Sequence, residues 1–392
     1  MHYILFDGDR RTDLLPFTYT RPVAAIRTGI LTLKEKWEHR LKHPVGYLTE
    51  GYLQEKFPLE SGSDNLLIRG SLLADSDLVE AVKGLSLGEA LFSGDTVLAY
   101  RASTANPLEE DFGGYRRIEF SHPIREIRNT WDIFSMNGMA LEEDFALLTT
   151  GRKSATISGT NRLVGEGRIF LEEGAEVEHS LLNATTGPIY IGREATVMEG
   201  CLIRGGFALG AHGVVKMGAK IYGPTTAGPY CKIGGEINNT VLFGYSNKGH
   251  DGFLGNSVLG EWCNLGADTN NSNLKNNYAK VRLWNYASER FDQTGLQFCG
   301  LIMGDHSKSA INTMFNTGTV VGVNCNIFAA GFPRNFIPSF SWGGTSGFTT
   351  YLPKKAFEAA EVAMARRGVP FTDADKSILL QVFEESQKYR SS

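Results

Sequence analysis

The residues of this chain best suited to chemistry sit in the short stretch Asn247-Lys-Gly-His-Asp-Gly-Phe253, where His250 is flanked by Gly249 and Gly252. An imidazole with a near-neutral pKa takes a proton from an attacking amine. Flanking glycines let backbone and substrate approach closely. The competing reading of a lone histidine is a surface or turn residue. Downstream lie Asn264, Asn270, Asn271 and Asn273. Each suits a tight corner with positive φ, and together their amides suit the orientation of sugar hydroxyls. A second candidate region follows the N-terminal apolar run, where Arg10, Arg11 and Arg21 lie in DGDRRTDLLPFTYTRP. A loop after a parallel strand is where α/β sheets bind nucleotides. This loop has one glycine and lacks a glycine-rich phosphate cradle. Asp75-Ser-Asp77 reads as a cap for the following helix.

The elements that hold these residues are announced by a period of six. Ile191, Val197, Ile203, Leu209, Val215, Ile221, Ala227 and Ile233 are aliphatic without a slip. Four residues beyond each of them stands a mostly small or apolar partner: Ala195, Cys201, Phe207, Gly213, Ala219, Thr225, Cys231 and Ile237. A helix repeats its apolar stripe at three and four residues instead. A fixed period of six means short strands joined by tight corners, three to a coil, with stacked coils burying a continuous aliphatic ladder. The fold class expected is a left-handed parallel β-helix of the hexapeptide-repeat kind. Its phase extends upstream through Ile157, Leu163, Leu171 and Val177, and downstream through Leu259, Leu265, Val323 and Ala329. Breaks at about 239–253 and 270–300 read as insertions, which in solenoids often form the binding face. By the same phase Lys216, Lys232 and Arg204 point outward, as solvated charges or, for one or two of them, phosphate ligands.

Residues 1–125 read as an α/β domain with a parallel sheet, since HYILFD, NLLIRG and TVLAYR are short apolar strands alternating with helical segments. Residues 126–150 read as a helical connector, 151–345 as the β-helix and 346–392 as a C-terminal helical cap. In that cap, Pro353 suits a first helical turn, and Thr372 with Asp375 suits a helix cap.

The 392 residues carry a formal net charge of -4, which gives no reason to expect nucleic acid as a partner. No apolar run approaches the roughly 20 residues that span a bilayer, so no membrane association is expected. The N-terminus resembles neither a signal nor a transit peptide. Cys201, Cys231, Cys263, Cys299 and Cys325 are odd in number and form no CxxC pair, which fits reduced, packed thiols in a cytoplasmic protein.

The block NKGHDGFLGNSVLGEWCNLGADTNNSN resembles the acetyltransferase core of the bifunctional N-acetylglucosamine-1-phosphate uridylyltransferase/glucosamine-1-phosphate acetyltransferase family. That family's histidine, aromatic residue, Leu-Gly, Asn-Ile-Gly-Ala step and closing asparagine fall on His250, Phe253, Leu254-Gly255, Asn264-Leu265-Gly266-Ala267 and Asn273. The resemblance implies that His250 is a general base, that Asn264 and Asn273 contact the sugar, and that the Ala267 backbone helps bind acetyl-CoA. Phe253 replaces the family's tyrosine, and Asn238 stands where a lysine of its phosphate site falls. The N-terminal half resembles sugar-nucleotide pyrophosphorylases in shortened form, with Arg21-Pro22 for their Pro-Lys and Gly70-Ser71 for their Gly-Asp metal step.

These resemblances imply an enzyme of sugar-nucleotide biosynthesis, on the route to UDP-N-acetylglucosamine. Acetyl-CoA would donate an acetyl group to the amine of an aminosugar 1-phosphate at the β-helix. Nucleotidyl transfer from UTP or dTTP to a sugar 1-phosphate, with Mg²⁺ bridging the triphosphate and Arg10, Arg11 and Arg21 binding it, would add a second activity. The alternatives are a nucleotidyltransferase whose β-helix is a trimerisation scaffold, and an N-terminal module that only binds sugar nucleotide. The family implies a homotrimer. Metal ligands are not assigned by the sequence.

Overall fold

The computed structural model describes residues 1–105 and 112–390. It divides into two compact units. The first comprises Met1–Leu14, Thr20–Ile26 and Leu31–Asn129, the second Leu15–Tyr19, Arg27–Ile30 and Thr130–Ser392. Two short stretches before residue 31 therefore belong to the second unit. The Arg27 Nε donates to the Phe243 carbonyl at 3.1 Å, and the Thr226 hydroxyl donates to the Gly29 carbonyl at 2.9 Å.

The first unit is built on a six-stranded sheet. Its strands are β1 (His2–Phe6), β2 (Val45–Leu48), β3 (Asn65–Arg69), β4 (Glu89–Ser93), β5 (Thr96–Ala102) and β6 (Arg116–Glu119), in the order β2-β1-β3-β5-β4-β6. Side chains alternate along each strand. Tyr3, Leu5, Leu66 and Ile68 join a core with Trp37, Leu78 and Val82 of the covering helices, while Ile4 and Leu67 face a second core containing Phe92 and Tyr100. The sheet is mixed, not wholly parallel as expected. β1, β2 and β3 are parallel, but β5 runs antiparallel to β3 and β4. The cause is local: only Gly94-Asp95 separates β4 from β5, and so short a link forces a hairpin. The helix Ser76–Lys83 starts at Asp75, whose side chain accepts from the Leu78 N–H at 2.9 Å.

The second unit begins with the helices Asp132–Ser135 and Asn137–Thr149 and continues as a parallel β-helix whose three faces carry six, nine and ten strands. The first face starts at Arg162–Val164, the second at Ile169–Leu171 and the third at Glu176–Val177. All eight aliphatic positions of the period of six lie in one buried core. This is the architecture expected of a left-handed hexapeptide-repeat helix. The C-terminal helices Pro353–Ala365 and Asp373–Glu385 form as expected, with Pro353 in the first turn and a capping box between Thr372 and Asp375. The five cysteines are buried and unpaired.

Two details of phase differ from expectation. Val321 and Ile327 point into the core, whereas Ala329 is exposed. Val323 and Ala329 are therefore two residues out of step. The break at 239–253 is also not an insertion. Ile233 pairs with Lys248 in register, fifteen positions on, where Val215 to Ile233 took eighteen. The coil is shortened at a corner and its ladder continues, with Lys248 taking the place of an aliphatic residue. The break at 270–300 is a true excursion. Leu259 pairs directly with Met303, and between them Arg282–Asn285 and Arg290–Gln293 form an antiparallel hairpin.

One edge of the helix is lined with aromatic corners. His212, Tyr230, Tyr245, Trp262 and His306 hold φ values between 54° and 62°, a region that bulky residues rarely enter. Their rings stack in sequence, with centroids 4.6, 4.9, 4.2 and 6.2 Å apart. Contacts between aromatic rings contribute about 0.5–1.5 kcal/mol each, which opposes part of the cost of a left-handed corner, about 1–2 kcal/mol.

Candidate active sites

In the first unit, a cleft of about 1080 Å³ opens at the carboxyl ends of β1, β2 and β3, lined by Asp7, Thr49, Arg69 and their neighbours. β2 and β3 lie on opposite sides of β1, so the chain order reverses there. That reversal point is where open α/β sheets bind ligands. Its lining mixes charged groups, Asp7, Asp9, Arg11, Glu50, Arg69, Asp95 and Arg117, with aromatic rings. Tyr100 and Phe112 stand 5.2 Å apart and Phe92 and Phe112 5.8 Å apart, and the Arg117 guanidinium lies 4.1 Å from the Phe92 ring centre. Such a lining offers rings for a base and cations for phosphates.

Asp7 follows β1 directly. Its carboxylate accepts from the Thr49 hydroxyl at 2.5 Å and from the Val23 N–H at 2.7 Å. Burial nonetheless pushes its pKa up to about 6. Burial also works against ionisation of Asp9, but the Arg69 and Arg10 guanidiniums beside it hold its pKa below the ordinary range.

The three arginines singled out from the sequence are dispersed. Arg11 lines the cleft and donates to the Tyr52 hydroxyl at 2.6 Å. Arg10 pairs with Glu126 at 3.3 Å and Asp13 at 3.2 Å, and Arg21 is buried; neither lines the cleft. Arg69 and Arg117 were missed. Arg69 ends the strand NLLIRG, and a cation at the carboxyl end of a parallel strand was the available signal.

In the second unit, His250 is exposed on the corner between the third face, at Lys248, and the first face, at Phe253. Its ring makes no hydrogen bond among the described residues. The Lys248 ammonium fixes the corner from within, donating to the His250 carbonyl at 2.5 Å and to the Gly234 carbonyl at 3.2 Å. The Asp268 N–H donates to the Asp251 carbonyl at 3.1 Å. The corner carrying His250 is thereby tied to that carrying Ala267 in the next coil.

Three more of the expected residues converge on Gly255. Asn238 is its register partner in the preceding coil. A β-carbon on Gly255 would lie 2.5 Å from the Phe253 Cζ and 2.8 Å from the Asn273 Nδ2. The Asn273 amide is itself held, donating to the Asn256 Oδ1 at 2.8 Å. Asn270 receives the Phe253 N–H at 2.8 Å, and Asn271 receives the Gly255 N–H at 2.8 Å. Their asparagine side chains thus hold strand ends in place. Asn264 stands on the third face, where its Oδ1 accepts from Asn247 at 3.4 Å.

Comparison with known proteins gives three findings. Residues 3–153 match the family model described as sugar nucleotidyl transferase. A stretch of 95 residues is 33% identical to the bifunctional protein GlmU of Methanocaldococcus jannaschii, covering 24% of this chain and 22% of that relative. The chain thus spans less than a quarter of the length of that curated relative. A solved structure of an Arabidopsis UDP-N-acetylglucosamine acyltransferase aligns over 54% of this chain and 80% of that chain, at 12% identity and a TM-score of 0.24, a likeness too loose to bear on fold or activity. Residues 3–153 thus resemble the sugar nucleotidyl transferases, and with the parallel β-helix that follows, the architecture resembles that of the bifunctional uridylyltransferase–acetyltransferase group.

Proposed function

We propose that this chain is a transferase of sugar-nucleotide biosynthesis, and that its N-terminal cleft joins a nucleotide to a sugar 1-phosphate. The observation that supports this most is the cleft itself, with cations and aromatic rings at the reversal point of a sheet whose sequence matches the nucleotidyl transferase family. A phosphate oxygen of the sugar attacks the α-phosphorus of UTP or dTTP, the bond to the β-phosphate breaks, and pyrophosphate leaves. Arg11, Arg69 and Arg117 offset the charge on the phosphates. Mg²⁺ suits the donor set. Among the described residues the buried Asp7 carboxylate accepts from two neutral donors, and Mg²⁺ commonly sits on one or two carboxylates plus substrate phosphates. Asp7 would hold the ion together with the substrate phosphates, where the ion would supply charge neutralisation. The test is release of pyrophosphate from UTP or dTTP with a panel of sugar 1-phosphates. No release with any sugar, alongside nucleotide binding, would make the cleft a binding module only.

A second activity, acetyl transfer at the β-helix, is favoured by one arrangement: an exposed His250, its ring without a hydrogen bond among the described residues, on the corner leading to Phe253, which packs with Asn273 against Gly255, the register partner of Asn238. In this reading His250 removes the proton from the amine of an aminosugar 1-phosphate. The nitrogen attacks the thioester carbon of acetyl-CoA, the carbon–sulfur bond breaks, and the thiolate of coenzyme A leaves. Asn264 and Asn273 orient the sugar, and the Ala267 backbone helps hold the acetyl donor. Thiol release from acetyl-CoA with amino-sugar 1-phosphates tests it. No release with any acceptor would leave the β-helix as a scaffold for a homotrimer.

A further inference from the structure

Beside the His250 corner, the third face gathers positive charge that these reactions leave unused. Lys216 and Lys232 project from successive coils. A β-carbon on Gly234 would lie 3.0 Å from the Lys216 Cβ, and one on Gly249 would lie 4.0 Å from both the Lys216 Cγ and the Lys232 Cβ. Two lysine stems thus flank a floor of two glycines, and the second of these directly precedes His250. The C-terminal helical segment adds two more cations. The Arg367 guanidinium donates to the Asn247 Oδ1 at 3.0 Å, and Asn247 is the register partner of Lys232. Its neighbour Arg366 is exposed.

The four are close enough for their charges to act on one another. Burial, together with the charges of Arg367, Lys216 and Arg366, holds the Lys232 ammonium below its ordinary pKa. Among the described residues none of the four makes an ion pair. Like charges gathered together repel one another, and an anion bound among them offsets that repulsion. The arginine forks suit phosphate oxygens in pairs, and the lysines serve as point charges.

We propose that Lys216, Lys232, Arg366 and Arg367 form a binding site for the phosphate groups of a substrate that reacts at His250. The proposal rests on the acyl-transfer reading of that corner. Two sources carry the required chemistry: the diphosphate and 3′-phosphate of a coenzyme A thioester, and the phosphate of an aminosugar 1-phosphate.

Calorimetric titration of the full chain, and of its Lys232→Ala and Arg366→Ala variants, tests it with three probes: coenzyme A, 3′-dephospho-coenzyme A and glucosamine 1-phosphate. Each variant should bind one class of probe about tenfold more weakly, the size of one charge-assisted contact. Weakening with coenzyme A but not its 3′-dephospho form places the donor's 3′-phosphate in the site. Weakening with both forms places the diphosphate there, and weakening with glucosamine 1-phosphate alone places the acceptor there. Unchanged affinity for all three probes in both variants overturns the proposal, as does failure of the wild-type chain to bind any of them. A parallel acetyl-transfer assay separates the two ideas. Weakened binding without any transfer by the wild-type chain keeps the anion site and sinks the acyl-transfer reading. Transfer with unchanged binding does the reverse.

Discussion

Lys248 and His250 are joined through the main chain: the Lys248 ammonium, inside the β-helix, donates to the carbonyl of His250, on its surface, at 2.5 Å. Lys248 is only 1% exposed and fills a rung that Ile233 fills one coil earlier. A charged group in an aliphatic ladder is costly unless its protons find acceptors, and here two carbonyls supply them.

That burial leaves a signature in alkaline solution. Burial lowers the Lys248 pKa from 10.5 to about 8. Between those values the unfolded chain binds more protons than the folded one, so the contribution of Lys248 to stability rises with pH. The buried cysteines and Tyr286, whose pKa values burial raises, act in the opposite sense as they begin to ionise in the unfolded chain. The effect is therefore read as a difference. The melting temperature of the wild type relative to Lys248→Met should increase from pH 8 to pH 10. A constant difference would mean that burial does not lower the pKa of the ammonium.

His250→Ala should lower acetyl transfer by about 10²–10⁴-fold, the usual size of a general-base contribution, with an unchanged melting temperature because the exposed ring makes no hydrogen bond among the described residues. The check is thiol release measured beside a thermal melt. A folded variant that retains full activity would remove His250 from the reaction.

Asp7 carries the corresponding prediction for the N-terminal cleft. Its folded pKa of about 6 lies above the ordinary 3.8. The stability it contributes is complete below the lower value and is lost as pH rises through the upper one. Asp7→Asn should flatten that fall between pH 4 and pH 6 in denaturant titrations followed at the first unit. If the carboxylate takes part in nucleotidyl transfer, the same variant should lose pyrophosphate release at pH 7.

The first face of the β-helix bears a small exposed apolar patch. Leu181 and Leu202 are register partners, at 37% and 52% exposure, between Arg162 and Lys220 of the flanking coils. Exposed apolar patches mark association surfaces when they are large, and this one is a candidate seam for the proposed homotrimer. Light scattering should give a trimer for the wild type and a smaller species for Leu202→Glu. A monomeric wild type would refute the assembly.

Much of this was legible in the residues, and the exceptions have physical causes. A period of six is a local property, so the ladder from Ile191 to Ile233 could be read directly, as could the caps at Asp75 and Thr372. The shortened coil hid its continuity because an internal lysine looks like the end of an aliphatic pattern. By sequence alone Lys248 therefore falls within an insertion, and His250 within a loop instead of at a corner of the solenoid. Phe253 and Asn273 follow from the family resemblance, but their close packing against Gly255, which leaves no room there for a β-carbon, depends on contacts between coils. In the first unit Arg69 escaped notice because its role depends on β3 lying beside β1, a pairing of residues about sixty positions apart. Likewise, nothing local marks Leu15–Tyr19 and Arg27–Ile30 as members of the second unit.

The stacked corners from His212 to His306 supply the molecule with an optical gauge. Trp262 sits 4.2 Å from Tyr245 on one side and 6.2 Å from His306 on the other, and each ring rides on a different coil. Any slippage or parting of adjacent coils must pull two chromophores apart before it exposes the core. Near-ultraviolet circular dichroism of this column therefore registers the spacing of the coils themselves, and a ligand that clamps one coil against the next would be visible there without any added label.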